Sequence, residues 1–164
     1  MGVRRVLVLV LSGAALTAAC SNGGSKPSLA TATSTTVAAS TATVVVGDTT
    51  FAFAMTCYAP GAGAVVAVGS GIDPVSGRAT RALVQAFFRD PYVGVTVGDR
   101  EVVYEPTLAE PIELAFQDDV VRGSAIEFVK NLDLQARIGE PAGVGSVVVT
   151  CHGYHTGLPP GYSK

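Results

Sequence analysis

The sequence has no tryptophan and only two histidines, His152 and His155, both near its end. Histidine is central to catalytic triads and to most zinc sites, so a hydrolytic or metal centre would have to grow from that one stretch. Charge is also sparse. Only 15% of residues are charged, with 11 Lys plus Arg against 13 Asp plus Glu. Phosphate recognition relies on clustered basic side chains, which excludes nucleic acid as a partner. The apolar run from Val6 to Ala19 falls short of the about 20 residues that span a bilayer as a helix. No Gly-x-Ser-x-Gly elbow and no Gly-Lys-Ser/Thr phosphate loop occurs. Gly61-Ala62-Gly63-Ala64-Val65-Val66 lacks the third glycine of a dinucleotide fingerprint and reads as a hairpin turn between strands.

Two further constellations reduce to simpler readings. Cys151-His152-Gly153-Tyr154-His155 is a fragment of a zinc site without a second ligand pair, so no metal is expected. Glu101, Glu105, Glu110, Glu113, Asp118, Asp119 and Glu127 are scattered, as solvent-facing strand and turn residues are. Asp118-Asp119 reads as a turn rather than a calcium loop. The sequence therefore predicts no catalytic residues, no cofactor and no enzymatic activity.

What the chain does have is a cysteine in a telling place. Arg4-Arg5, the apolar Val6–Leu11 and the small residues Ala18-Ala19 precede Cys20. A basic start, an apolar centre and small residues before a cleavage site make a secretory signal peptide. A cysteine immediately after that site predicts a lipoprotein, with residues 1–19 removed and Cys20 lipidated. Thr17 stands where such motifs usually carry Leu, and Leu16 lies one step earlier. Removing residues 1–19 takes away Arg4 and Arg5 and lowers the net charge from −2 to −4. No basic patch is left to assist membrane adhesion, so the acyl chains must anchor the protein. Stable attachment takes two or more of them.

Assigning Cys20 to lipid leaves Cys57 and Cys151. An even remainder in an exported chain predicts one disulfide. It would close a loop of nearly the whole folded region, which the chain-entropy model values at about 4.7 kcal/mol.

Residues 20–43 are dominated by Ser, Thr and Ala. They cannot bury enough surface to offset ordering entropy and read as a tether, with Thr clusters suited to O-glycosylation. From Val44 the pattern changes. Phe51, Phe53, Met55 and Cys57 alternate with small or polar residues, as do Val93, Val95 and Val97. The same holds for Ile112, Leu114 and Phe116, for Leu132, Leu134, Ala136 and Ile138, and for Val147, Val149 and Cys151. Short alternating runs separated by turn residues predict a mainly β domain over 44–151, a sandwich or barrel. We expect a small antiparallel β-sandwich closed by one disulfide. Arg78 to Arg89 fits either a short helix, with Ala79, Leu83, Ala86 and Phe87 on one face, or a strand ending at Asp90-Pro91. Phe87 and Phe88 would point to opposite faces of a strand. Residues 152–164 read as an extended tail.

These features resemble the mycobacterial nineteen-kilodalton lipoprotein antigen family, the LpqH-like lipoproteins. The resemblance rests on Leu16-Thr17-Ala18-Ala19-Cys20, the Ser/Thr/Ala tether and Thr56-Cys57 followed by Ala59–Gly69. It continues through Pro91–Gly98 and Val147–Cys151. It implies a lipid-anchored protein on the extracytoplasmic face of the cell membrane, acting as a surface antigen, adhesin or envelope interaction protein. It further implies acyl chains on Cys20, a Cys57–Cys151 bond, a strand around Leu83–Phe88, and host Toll-like receptor 2 as a partner of the acylated N-terminus. A different class of function, carriage of lipid or another apolar envelope molecule, would require an apolar cavity of roughly 300 Å³ or more.

Overall fold

Strands and the turns between them make up the computed structural model, which describes residues 38–87 and 89–162. The strands are β1 (Thr41–Val46), β2 (Thr49–Gly61), β3 (Ala64–Ile72), β4 (Ala79–Ala86) and β5 (Tyr92–Val97). They continue with β6 (Val102–Pro106), β7 (Ala115–Gln117), β8 (Val120–Asp133), β9 (Ile138–Thr150) and β10 (Tyr154–Thr156). The expected leader 1–19, Cys20 and the expected tether as far as residue 37 lie outside the described residues. So does Phe88.

The expected sandwich is a closed barrel instead. Neighbouring strands run β1-β9-β8-β6-β5-β4-β3-β2, and β1 also pairs with β2, so eight antiparallel strands form a ring. Alternation could not distinguish the two, because each strand has one buried face in either architecture. Closure is decided by curvature and by the partners of β1. The register shifts on β8 near Ala125 and Asn131, both at positive φ, bend the long β8–β9 hairpin around the core. Gly47 turns β1 into β2 at φ 54°, and a Cβ there would meet the Ala142 carbonyl oxygen at 2.7 Å.

The segment 78–89, open between a short helix and a strand, contains β4. Thr80, Ala82, Val84 and Ala86 alternate inward, and β3 and β5 bond to its two edges. Closure needs a strand in that place, and the tertiary pairing overrides a helical periodicity that spans barely three turns. Two other segments also differ from expectation. Residues 107–114 form a loop leading to the short β7, and residues 134–137 turn β8 into β9, so alternation at Ile112–Leu114 and Leu134–Ala136 marks no strand. The turn between β7 and β8 is Asp118-Asp119, both residues at positive φ, as a two-residue hairpin turn demands. Strand β1 begins at Thr41, three residues before the expected domain start at 44.

The ring encloses Phe51, Phe53, Met55, Ile126, Phe128 and a set of valines from β1, β3, β4, β5, β8 and β9. Phe51 packs against Phe53 and Tyr104, with ring centroids 6.4 and 5.8 Å away. Eight strands leave an interior just wide enough for side chains to fill, and these residues fill it. Thr80 is 1% exposed, and its Oγ1 has no hydrogen-bond partner.

The Cys57 and Cys151 Sγ atoms lie 1.99 Å apart, at disulfide distance, with Cα atoms 6.0 Å apart. The bond ties β2 to the residue following β9 across one end of the barrel. Removing it by Cys57→Ala with Cys151→Ala is expected to cost about 2–5 kcal/mol in urea unfolding; an unchanged midpoint would contradict a structural role. Thr80→Val replaces an unsatisfied hydroxyl with a methyl of similar shape and is expected to stabilise the fold by about 1 kcal/mol on the same measurement.

Candidate functional site

Antiparallel alternation divides the loops between two ends. The turns at 47–48, 73–78 and 98–101 lie at one end, and the bent β8–β9 hairpin carries the turn at 134–137 back to residues 107–108. The other end holds the disulfide, the β2–β3 and β4–β5 loops, residues 107–114 and the start of β1. The first described residues, 38–40, lie here. The Ser40 carbonyl accepts from Met55 N at 2.9 Å, and Ser40 Oγ accepts from His152 N at 2.9 Å. The chain enters between the two strands that the disulfide joins.

The C-terminal segment does not trail away. Strand β1 ends its pairing with β2 at Ala54, which leaves the lower edge of β2 open. Strand β10 occupies that edge in parallel, with His155 beside Tyr58 and ring centroids 5.3 Å apart. Tyr154 Oη donates to Asp119 Oδ1 at 2.7 Å, and the Tyr154 ring meets Phe116 edge-on at 6.5 Å. Beyond it Pro159 is buried, and the Tyr162 hydroxyl bonds to Gln85 Oε1. The segment is a strap over the outside of the barrel.

The wall beneath the strap explains why it docks. Register places Tyr58, Val66, Gln85 and Tyr92 in one outward row across β2, β3, β4 and β5. Val66 is 0% exposed and Gln85 only 6%, although both point away from the barrel core. Val65, Val66 and Ala67 are buried consecutively, so β3 is covered on both faces. Gln85 Nε2 donates to the Asp90 carbonyl at 2.5 Å and to Asp90 Oδ2 at 3.3 Å, which ties the β4–β5 loop to the wall. The Tyr92 hydroxyl donates to Glu105 Oε1 at 2.5 Å. Burial, then the neighbouring carboxylate, pushes the Tyr92 pKa up.

A groove of about 1090 Å³ lies on this wall. Its floor is Leu83, Gln85 and Tyr92, and its sides are the β2–β3 tip, Phe87 and the strap at Leu158 and Tyr162. A second groove of about 640 Å³ lies alongside, bounded by residues 105–112 and by Leu132 and Leu134. Arg89, Asp90 and Tyr92 line both. Both open on the outside of the barrel.

The residues singled out in the sequence separate accordingly. Cys57 and Cys151 come together, and Cys20 falls outside the described residues. His152 and His155 flank the strap's start, and no cluster of three or more His, Cys, Asp or Glu able to hold a metal occurs among the described residues. Of the seven acidic residues, Glu105 is half-buried against Tyr92, Glu101 pairs with Arg78 and Asp119 anchors Tyr154, while Asp118 is exposed on its turn and the exposed Glu110, Glu113 and Glu127 line one small surface pocket of about 170 Å³. No helix among the described residues is long and apolar enough to cross a membrane. Sequence reasoning missed Gln85, Arg89, Tyr92 and Tyr162. The available signal was the loss of alternation at Val65-Val66-Ala67, which requires a cover on the outer face.

Comparison with known proteins finds no matching family model, no matching curated protein and no matching solved structure.

Burial first, then the bond to the Asp119 carboxylate, raises the Tyr154 pKa to about 12 from its ordinary 10.0. A raised pKa means that the folded strap favours the protonated phenol. Its contribution is complete below pH about 10 and is lost as the pH rises towards 12. Tyr154→Phe is expected to remove that titration from the tyrosinate absorbance curve, while proteolysis of the strap in the parent protein should rise over the same interval. Tyrosine ionisation at its ordinary pH would contradict the docked strap.

Proposed function

We propose that this is a lipid-anchored envelope protein that acts through surface interactions rather than catalysis, as a surface antigen, adhesin or structural component. The carrying observation is the cysteine arithmetic. Cys57 and Cys151 are joined, so Cys20, placed directly after a signal-peptide pattern, is the one cysteine left for acylation. A disulfide also fits an exported, oxidising setting. On this reading residues 1–19 are removed, the acyl chains on Cys20 hold the protein on the extracytoplasmic face of the cell membrane, and the stretch beginning at Cys20 tethers the barrel. The resemblance to the LpqH-like lipoproteins extends the proposal to host Toll-like receptor 2 as a receptor for the acylated N-terminus.

The fold supports a particular presentation. The described chain begins at the disulfide end, and the loops at 47–48, 73–78 and 98–101 lie at the opposite end of the barrel. Val75, on the 73–78 loop, is 81% exposed. It is the apolar contact we assign to a partner. Carriage of an apolar molecule inside the barrel has no support, because Phe51, Phe53, Ile126 and Phe128 occupy that space.

The test is Cys20→Ala in the full chain. Incorporation of labelled palmitate should disappear and the protein should leave the membrane fraction. Unchanged detergent partitioning would overturn the anchored reading.

A further inference from the structure

We propose that the outer groove between the β4–β5 loop and the C-terminal strap binds a long-chain carboxylate, a fatty acid or an amphiphile like it. The hydrocarbon would lie over Leu83, Tyr92 and Leu158, and the head group would sit at Arg89. This goes beyond the anchored reading and stands whether or not Cys20 is acylated.

Three observations converge on it. The first is the wall itself. The outside of a barrel normally carries polar residues opposite the core-facing ones, yet here Leu83 and Tyr92 face outward into the groove, and Leu158, 37% exposed, lines it beside them. The groove's size, about 1090 Å³, is that of a ligand site. The second is charge. Arg89 is the only cation lining either of the two grooves, and it has no carboxylate within 4.0 Å among the described residues. Its neighbour Asp90 directs its carboxylate towards Gln85, away from an ion pair with Arg89. A guanidinium presents paired donors that match a carboxylate. The third sets the ligand's charge at one. In the first groove Arg89 faces one carboxylate, Asp90, which is turned towards Gln85, while Glu105 and Glu110 line only the second groove, so a single cation is left there and a doubly charged phosphate monoester would exceed it. A monoanion suits that balance.

The probe is a photoactivatable hexadecanoate carrying a diazirine on its chain, used with the full chain bearing Cys20→Ala so that binding is read apart from anchoring. Crosslinks should map to residues 60–64, 83–92 and 157–162. Unlabelled hexadecanoate should compete, with hexadecanol and hexadecyl phosphate at least tenfold weaker. Arg89→Gln should weaken labelling at least tenfold, and Arg89→Lys should recover most of it. Arg89 is exposed, so neither variant is expected to change thermal unfolding, which serves as the folding control. Leu158→Arg provides a second, independent block. Labelling scattered over the surface, equal competition by hexadecanol, or indifference to Arg89→Gln would overturn the proposal. So would uptake by Cys20→Ala but not by the acylated chain, because the groove would then belong to the protein's own acyl groups. Loss of membrane anchoring is read by fractionation alone, so the two proposals fail separately.

Discussion

Strand β1 holds the molecule closed. It is six residues long, and both of its edges are bonded, one to β2 and the other to β9. Every other strand of the ring could exist in an open sheet, but the core could not. Val44, Phe51, Val147 and Val149 are buried only because the first and last parts of the chain are brought edge to edge. Closure also removes the unpaired edges that an open sheet would expose. The cost is loop-closure entropy, since β1 and β9 are about as far apart in sequence as the fold permits. The Cys57–Cys151 bond, with a sequence separation of 94, offsets part of that cost in the unfolded chain.

The same closure leaves one end unfinished. Strand β2 runs on beyond the start of β1, and its exposed edge and the apolar wall of β3 and β4 both need covering. The strap does this with very little sequence: β10 on the edge, Tyr154 on Asp119, Pro159 buried and Tyr162 on Gln85. Covering is incomplete, and the incompleteness creates the grooves. Closing the fold and forming a surface with ligand-like dimensions are therefore consequences of one arrangement. The filled interior directs attention outward, to the grooves at the disulfide end and to the loops at the far end.

Much of the fold was legible from the residues, and the gaps have physical causes. Phe51, Phe53, Met55 and Cys57 alternate so regularly that strand β2 and its inward face could be assigned at once. Gly61-Ala62-Gly63 could be read as a hairpin for the same reason, since turn chemistry is local. Residues 78–89 were ambiguous because a segment of that length supports both a 3.6 and a 2.0 periodicity, and hydrogen bonds to β3 and β5 settle it. Leu134 and Ile138 were misread because alternation continued through a turn, with Leu134 on the turn and Ile138 at the next strand's first residue, and both exposed. The candidate groove was hardly legible at all. Its residues come from three separate parts of the chain, and nothing local indicates that Tyr162 will meet Gln85.

By itself the sequence determined the class of the domain, its cysteine economy and the poverty of its catalytic side chains. These are properties of residue identity and short-range spacing. Tertiary structure alone decided that the sheet closes into a barrel rather than stacking as a sandwich. It also decided that the tail becomes a strap, and that Arg89 stands without an ion-pair partner among the described residues beside an apolar wall. Each of those depends on which edges and faces meet across long stretches of chain, and alternating strands leave that choice open until curvature and pairing are fixed together.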